Sequence, residues 1–198
     1  MDTHPLRLTA HSLLLREWTS DDLTALQELF DDPDVAYRTP LESPFDQTAA
    51  RRYLYSAHQA RREHKRIHLA ITTDGQQAMG EVLLNLTTGS IGYVVGAAHR
   101  GQHLAARALR TMTEYAHHTA GLTRVILEIE PDNHPSVAVA RSAGFRLTDV
   151  KPETVTDKGR TYDLLTWEHP APASRGQRQA DPTRFKNRGP ARSTPAAS

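Results

Sequence analysis

The stretch with the clearest capacity for chemistry runs from Ile91 to Ala105, where an apolar strand pattern ends and a helix pattern begins. Arg100 and Gly101 lie in the short loop just before the apolar helix positions that start at Leu104. The first turn of a helix has backbone N–H groups without partners, and the helix dipole places partial positive charge there. Together with an arginine, such a turn suits a phosphate or pyrophosphate. The same spacing also fits a joint where Gly and Arg only turn the chain.

Histidine is abundant, with eleven residues, and two pairs have i, i+4 spacing. The pairs are His64/His68 and His99/His103, and each spans the junction of two predicted elements. No His-Glu-x-x-His pattern and no converging carboxylate accompanies them. We therefore interpret them as surface histidines and predict no metal site.

The elements that position these residues predict a mixed α+β fold with the order β-α-α-β-β-β-α-β-α-β-β. About seven strands would form a mostly antiparallel central sheet, flanked by about four helices. The helices are expected to start near Leu23, Ser43, Leu104 and Ser136, with Pro33 ending the first. The strands are expected at 11–16, 67–73, 79–86, 90–95, 125–129, 145–150 and 160–167. The last two strands would flank the turn at 157–159.

Charge divides the 198 residues into two parts, although the whole chain has a net charge of only +1. Residues 1–169 carry a net charge of −4, and residues 170–198 carry +5. The second part is dominated by Pro, Ala, Ser, Gly and Arg, with Phe185 as its one large apolar residue. Such a composition buries too little apolar surface to offset chain entropy. We therefore predict one domain over 1–169 and a disordered basic tail over 170–198.

The chain has no cysteine, which excludes disulfides, thiolate metal sites and a cysteine acyl-enzyme. It contains no apolar run of the length that crosses a membrane. The N-terminal residues Met1–Pro5 have no basic segment followed by an apolar core. These features predict a cytoplasmic protein without a membrane partner.

Several motifs together resemble the GNAT N-acetyltransferase superfamily. Arg100–Ala105 is similar to its acetyl-CoA signature, (Gln/Arg)-x-x-Gly-x-(Gly/Ala), although His103 stands at the usual loop glycine. The resemblance covers roughly residues 8–168 and is strongest to the branch that acetylates the N-termini of ribosomal proteins, the RimJ/RimL-like enzymes. The other matching segments are Leu15-Arg16, 21–23, 32–35, the strand and Asn-x-x-Ser turn over 124–136, and Ala143-Gly144-Phe145.

The resemblance implies that acetyl-CoA is the cosubstrate and that two segments bind it. The backbone of Val94 and Val95 would pair with the pantetheine arm, and one of their N–H groups would stabilise the oxyanion. This requires the fourth and fifth predicted strands to splay apart. The expected cosubstrate-binding residues are Val94, Val95, Arg100, Gly101, Gln102, His103, Leu104, Ala105 and Asn133. A protonated His103 would contact a phosphate; alternatively, its side chain would crowd the loop.

The resemblance also implies catalytic residues for direct transfer to an amine. Glu128 stands where N-terminal acetyltransferases carry a general base, and Glu81 is the second candidate. Alternation places Glu128 and Glu130 on one face of a strand, where both could instead be ordinary solvated glutamates. Ser136 resembles the residue that protonates the leaving thiolate, or it is only a helix N-cap. The tyrosine that many relatives use for that step is replaced by Ala140.

The function that these features imply is acetyl transfer to a peptide N-terminal α-amine or a small amine. The acceptor pocket would involve Tyr37, Arg38, Tyr53 and the segment 151–160. Many relatives are dimers, so the resemblance makes a homodimer an alternative to a monomer. A non-catalytic CoA-binding or interaction module on the same fold is the alternative. The basic stretch 61–66 would be a solvated helix end, or would guide an acidic acceptor or a CoA phosphate. The tail would be a solvating extension, with nucleic-acid or ribosome contact as its alternative.

Overall fold

The structure, a computed structural model, describes residues 5–171. Its first sheet has five antiparallel strands that lie side by side in chain order. They are β1 (Arg7–Ala10), β2 (Leu13–Glu17), β3 (Arg66–Thr72), β4 (Gly80–Asn85) and β5 (Ile91–Val95). The predicted turn at Asp74-Gly75 lies in the connection between β3 and β4, where Gly75 has a φ of 84°.

The second sheet is organised around a long strand that contacts three others. Its members are β6 (Arg124–Ile129), β7 (Arg146–Leu147), β8 (Glu153–Asp157) and the central β9 (Arg160–Pro170). Within residues 5–171, one parallel bridge, between Ser90 and Ile126, joins this sheet to the first. The amide of Ile126 donates to the carbonyl of Gly89 at 3.0 Å. Beyond that point β5 and β6 separate, as the resemblance predicts.

Five α-helices cover the sheets, and short polar side chains cap three of them. Asp32 accepts hydrogen bonds from the amides of Asp34 and Val35, and Asp46 accepts from Ala49. The helices are α1 (Leu23–Phe30), α2 (Pro33–Arg38), α3 (Gln47–Arg62), α4 (Leu104–His118) and α5 (His134–Ser142). Single 3-10 turns lie at Ser20–Asp22 and Ala97–His99.

Two apolar cores lie on opposite faces of the first sheet. One packs α4 and α5 against the sheet through Leu104, Leu109 and Met112. The other packs α1 and α3 through Leu26 and Phe30, together with residues such as Trp18 and Phe45. A ligand that passes between β5 and β6 therefore meets α4 and α5 on one side and α1–α3 on the other.

The predicted α+β class is confirmed, but several local predictions were wrong. Pro33 does not simply end a helix; it begins α2, because its fixed φ suits the first helical turn. Helix α3 begins at Gln47, not near Ser43, since Asp46 provides the cap. Strand β1 was missed because its exposed and half-buried residues give it no apolar run to detect.

The C-terminal hairpin also differs from its prediction. The strand that flanks the turn at 157–159 with β9 is β8, and the strand predicted over 145–150 shrinks to the two residues of β7. The polar sequence of β8, Glu-Thr-Val-Thr-Asp, has no continuous apolar pattern, and it is held as a strand by pairing with β9. Its strand character therefore comes from its partner.

The predicted tail falls almost wholly beyond the described residues. Strand β9 extends to Pro170, and the amide of Ala171 donates to the carbonyl of Thr123 at 2.8 Å. Residues 172–198, which carry the basic composition, lie outside the described range. Within 5–171, none of the helices combines the length and the apolar character needed to cross a membrane.

Candidate active site

The separation of β5 and β6 opens into a cleft of about 1190 Å³ that contacts both cores. On one side it is lined by the start of α4 and by α5. On the other it is lined by α2, α3 and the polar face of the strands. The predicted site residues that line it are Glu81, Val94, Val95, Arg100, Gly101, His103, Leu104, Ala105, Glu128, Asn133 and Ser136. Gln102 is exposed and is not among the lining residues.

The start of α4 has the features of an anion site. Leu104 is the first helical residue, and no side chain caps the helix. The amides of its first turn therefore have no helical carbonyl to bind. Gly101 has a φ of 81°, and a Cβ added there would meet no atom within 4 Å. The loop is thus open around Gly101, two residues before the N-cap of α4.

His103 adopts a backbone conformation that favours glycine. It is the N-cap of α4 with φ 56° and ψ 21°, in the left-handed region. For a residue with a Cβ this region costs about 1–2 kcal/mol. The side chain is exposed on the cleft. The histidine therefore keeps the backbone path that the usual glycine would follow, at the cost of strain.

Arg100 is held by carboxylates of the opposite wall. Its guanidinium lies 3.2 Å from Asp34 Oδ2 and 3.6 Å from Asp32 Oδ2, at the start of α2. The pairing orients the side chain across the mouth of the cleft and neutralises part of its charge. Backbone amides, together with a shared arginine, are thus the positive groups available to an anion at this end.

The free edge of β5 presents one of the two predicted amides to the cleft. Gly96 N–H donates to the carbonyl of Met79 at 3.0 Å, and Val94 is opposite Glu81 in the same antiparallel register. Hydrogen-bonding directions alternate along an antiparallel strand. Val94 N–H therefore points to β4, whereas Val95 N–H points to the open edge. Of the pair, Val95 is the one placed to donate to a ligand.

The two candidate carboxylates have very different surroundings. Glu81 is buried, and it accepts hydrogen bonds from Trp18 Nε1 at 2.7 Å and from the Tyr53 hydroxyl at 2.5 Å. His68 Nδ1 lies 3.4 Å from the same carboxylate. Burial, followed by the nearby Glu81 charge, raises the pKa of Tyr53 well above its ordinary value, so the hydroxyl stays a donor. Glu81 is therefore engaged by its neighbours.

Glu128 has no such partners. Its side chain is exposed on the cleft, and within residues 5–171 it makes no side-chain hydrogen bond or ion pair. Partial burial, and then repulsion from Glu153, raises the pKa of Glu128 above its usual value. A free carboxylate with a raised pKa is a better proton acceptor than one saturated by donors. The geometry favours Glu128 over Glu81.

Comparison with known proteins identifies the family of this chain. Residues 12–146 match the acetyltransferase (GNAT) domain. The chain belongs to the GNAT acetyltransferase family. It is an acyltransferase, as its relatives are.

Relatives and solved structures agree with this assignment over most of the domain. The N-acetyltransferase p20 of Bacillus licheniformis, itself uncharacterised, is 23% identical over 163 residues, covering 79% of this chain and 92% of its own. A GNAT-family acetyltransferase from Bacillus anthracis has a TM-score of 0.73 at 20% identity, covering 83% and 98%. RimJ of Mycobacterium smegmatis, solved with a CoA disulfide, has a TM-score of 0.71 at 21% identity, covering 84% and 87%. The chain thus shares the fold of these acetyltransferases.

In this GNAT chain the start of α5 answers one question that the sequence left open. Asn133, not Ser136, is the N-cap, since its Oδ1 accepts from the amide of Ser136 at 3.2 Å. The interpretation of Ser136 as the N-cap was therefore wrong, and its hydroxyl is not used in capping. The Tyr93 hydroxyl, which the sequence reasoning did not single out, donates to the carbonyl of Ser136 at 3.2 Å. Burial raises the pKa of Tyr93 to about 12.

The side of the cleft lined by α2 is closed by a charged cluster that the sequence did not reveal. Glu130 is buried, and its Oε2 lies 2.6 Å from Arg160 Nη2 and 2.9 Å from Arg38 Nη1. The interpretation of Glu130 as a solvated strand glutamate was wrong. The Arg160 guanidinium stacks 3.6 Å from the ring centroid of Tyr37. Burial arises here because the β8–β9 hairpin packs against α2.

The predicted acceptor residues are partly brought together. Tyr37, Arg38 and Tyr53 line the cleft, whereas none of residues 151–160 does. That segment instead contacts the backbone of α2, which lines the cleft: Lys158 Nζ donates to the carbonyls of Ala36 and Thr39. Within residues 5–171, no group of three or more His, Cys, Asp or Glu side chains is arranged to hold a metal ion.

Proposed function

We propose that this protein transfers an acetyl group from acetyl-CoA directly to an amine, either a peptide N-terminal α-amine or a small amine. The observation that carries the proposal is the cleft between β5 and β6. It places an uncapped helix start and a free strand edge on one side of a free glutamate, Glu128. RimJ of Mycobacterium smegmatis, which shares the fold, is recorded with a CoA disulfide.

The cosubstrate is assigned to the side of the cleft formed by α4 and α5. The first-turn amides of α4 and Arg100 suit its pyrophosphate. The free edge of β5 suits an extended chain with amide groups, such as the pantetheine arm, which would add to the sheet like another strand. Asn133 stands beside that edge, although its Oδ1 is already used in capping α5.

The chemical step needs three things from the protein. Glu128 takes a proton from the attacking amine, directly or through water, so that the nitrogen lone pair is free. Val95 N–H stabilises the negative charge that develops on the thioester carbonyl oxygen. As the carbon–nitrogen bond forms, the carbon–sulfur bond breaks, and the Ser136 hydroxyl supplies a proton to the leaving thiolate. The chain has no cysteine, so the acyl group is not carried on a protein thiolate.

An α-amine is the less demanding acceptor for this arrangement. Its pKa is about 8, compared with about 10.4 for a lysine side chain, so a larger share is already neutral near pH 7. A glutamate can therefore complete its deprotonation more readily. We accordingly place peptide N-termini and small amines of low pKa before lysine side chains.

The test has two stages on the full chain. Calorimetry should detect binding of acetyl-CoA, and thiol release with a panel of peptides and amines should identify an acceptor. If acetyl-CoA does not bind, or if no amine in a broad panel releases thiol, the proposal is wrong.

A further inference from the structure

Most charged side chains in the cleft are neutralised by partners within the protein. Asp34 pairs with Arg100, and both Glu130 and Asp132 pair with Arg38. Glu81 is held by the donors described above. This pairing accounts for all but two of the cleft's arginines and carboxylates. The two left over are Glu128 and Arg66.

Arg66 is an exposed arginine at the start of β3 that lines the cleft. Within residues 5–171 its side chain has no hydrogen bond and no ion pair, whereas Arg38 and Arg100 have both. It lies close enough to Tyr53 for its charge to oppose the rise in the pKa of that hydroxyl. A cation is therefore available in the part of the cleft where the acceptor enters.

Arg66 and Glu128 project from the same face of the strands. Ile67 and Leu127, their chain neighbours, are buried in the core beneath α4 and α5, so alternation turns Arg66 and Glu128 to the opposite face. They belong to β3 and β6, which are three strand positions apart, and the pairing places Arg66 level with Ile126, two residues before Glu128. Their backbones are therefore roughly 16 Å apart or somewhat more where β6 splays.

The surface of the sheet between β3 and β6 is apolar on this face. Leu83 of β4 and Gly92 of β5 line the cleft in the row of Glu128, which reaches β3 at His68, two residues beyond Arg66. A Cβ added at Gly92 would lie 3.3 Å from Leu83 Cγ, so Leu83 fills the space beside Gly92. The two residues form an apolar surface over which an acceptor would lie diagonally, from Glu128 towards Arg66.

We propose that the acceptor is an amine that also carries an anionic group, a carboxylate or a phosphate, which Arg66 binds while the amine faces Glu128. Because both side chains reach inward, the amine and the anion would be separated by about one or two peptide residues. The inference rests on the proposed function, since it takes the amine to be the group that reacts at Glu128.

Arg66 is assigned to the acceptor and not to a CoA phosphate because Arg66 and the start of α4 lie on opposite faces of the sheet. The uncapped start of α4 belongs to the core on one face of the sheet, and Arg66 stands on the other face. A ligand whose anion binds at α4 would have to pass through the gap between β5 and β6 before any part of it could contact Arg66. An anion on the acceptor reaches it directly.

The experiment compares three N-terminal peptides that differ at the second position: Ser-Asp-Ala-Ala, Ser-Asn-Ala-Ala and Ser-Lys-Ala-Ala, each amidated at its C-terminus. Beta-alanine and its amide form a matched small-molecule pair. The protein is used as wild type, Arg66→Gln and Arg66→Glu, with Arg51→Gln as an exposed arginine control outside the cleft lining. The readouts are kcat/KM from thiol release, and calorimetric affinities for acetyl-CoA and for each peptide.

Wild type should prefer the anionic member of a pair, and the pair that shows the preference tells whether the anion belongs to a peptide or to a small molecule. A charge-assisted contact predicts a preference of roughly tenfold to a hundredfold. Arg66→Gln should remove it without slowing the neutral acceptor, Arg66→Glu should favour the lysine peptide, and Arg51→Gln should match wild type. Added salt should shrink the wild-type preference.

The inference is overturned if wild type shows no charge preference, or if Arg66→Gln slows all acceptors equally. It is also overturned if Arg66→Gln weakens acetyl-CoA binding and leaves acceptor selectivity intact. Should no amine release thiol while wild type binds the aspartate peptide more tightly and Arg66→Gln does not, the proposed function fails, and with it the role of the peptide as acceptor, whereas anion binding by Arg66 is supported.

Discussion

The two sides of the cleft are built in different ways. The side formed by α4 and α5 uses backbone groups from one continuous stretch, with the loop at 100–103 leading directly into the first turn of α4. The side formed by α1–α3 and the β8–β9 hairpin uses side chains from distant parts of the chain, such as Arg38 with Glu130 and Tyr53 with Glu81. At His103 the backbone path is kept although the residue is not glycine. On the other side, in contrast, each pairing depends on the identity of two side chains.

The largest change in kcat/KM is expected on substitution of Glu128, which lies where the two sides of the cleft meet. Glu128→Gln should lower kcat/KM by about 100- to 1000-fold at pH 7, because the amine loses its proton acceptor. The loss should be smaller at higher pH, where more of the amine is neutral without help. Thiol release measured across pH checks this, with Glu168→Gln, outside the cleft lining, as the control. A loss of the same size at every pH would assign Glu128 a role other than that of a base.

The second prediction tests whether the side of the cleft formed by α2 and the β8–β9 hairpin depends on the ion pairs of Glu130. Glu130→Ala should lower the free energy of unfolding by about 2–4 kcal/mol, because it leaves two partly buried arginines without their shared carboxylate. Urea unfolding measures this change. The KM for the acceptor should rise, while acetyl-CoA affinity should stay close to that of wild type. An equal loss of affinity for both ligands would show that the two sides are not independent.

A smaller change in the free energy of unfolding, this time an increase, is expected at the start of α4. His103→Gly should stabilise the protein by up to about 1 kcal/mol, because relief of the left-handed strain exceeds the entropy that glycine loses on folding. For a chain of this size, that corresponds to a rise in Tm of about 2–4 °C. His103→Ala is the matched control, since it keeps a Cβ and should not raise Tm. If both variants weaken acetyl-CoA binding, the imidazole contacts a phosphate.

The smallest expected effect concerns the neighbour of the base. Glu153 raises the pKa of Glu128, so Glu153→Gln should lower that pKa. Since the base acts when deprotonated, the acidic limb of the kcat/KM profile should move to lower pH, with little change on its plateau. A limb that stays in place, or moves to higher pH, would show that another group controls it.

Prediction from sequence located the structural elements correctly where the residues involved are close in the chain. The loop at Arg100 and the first turn of α4 were identified because a strand, a loop and a helix follow one another within a few residues. Glu128 was identified through the family resemblance, which implies a general base five residues before Asn133, and its place on the cleft agrees with the strand alternation. The loop and the alternation are signals of backbone periodicity, which local sequence largely determines.

Prediction failed where burial comes from another segment. Glu130 follows the same alternation as Glu128, yet it is buried because Arg160 and Arg38 approach it from β9 and α2. Strand β8 has no apolar pattern and depends on β9 for its structure. Ser136 resembled a cap, but Asn133, three residues earlier, took that position. In each case two arrangements were possible locally, and a distant contact or a neighbouring residue selected one.

The sequence by itself determined the α+β class, the family resemblance, the helix start that suits a phosphate, and the absence of any cysteine for a covalent route. Only the tertiary structure decided which charged groups in the cleft lack a partner within residues 5–171: Glu128 and Arg66 do, whereas Glu81 and Arg38 are engaged. The reason is physical: local propensity and periodicity depend on near neighbours in the chain, whereas the pairing of a charge depends on whatever side chain folding brings within a few ångströms of it.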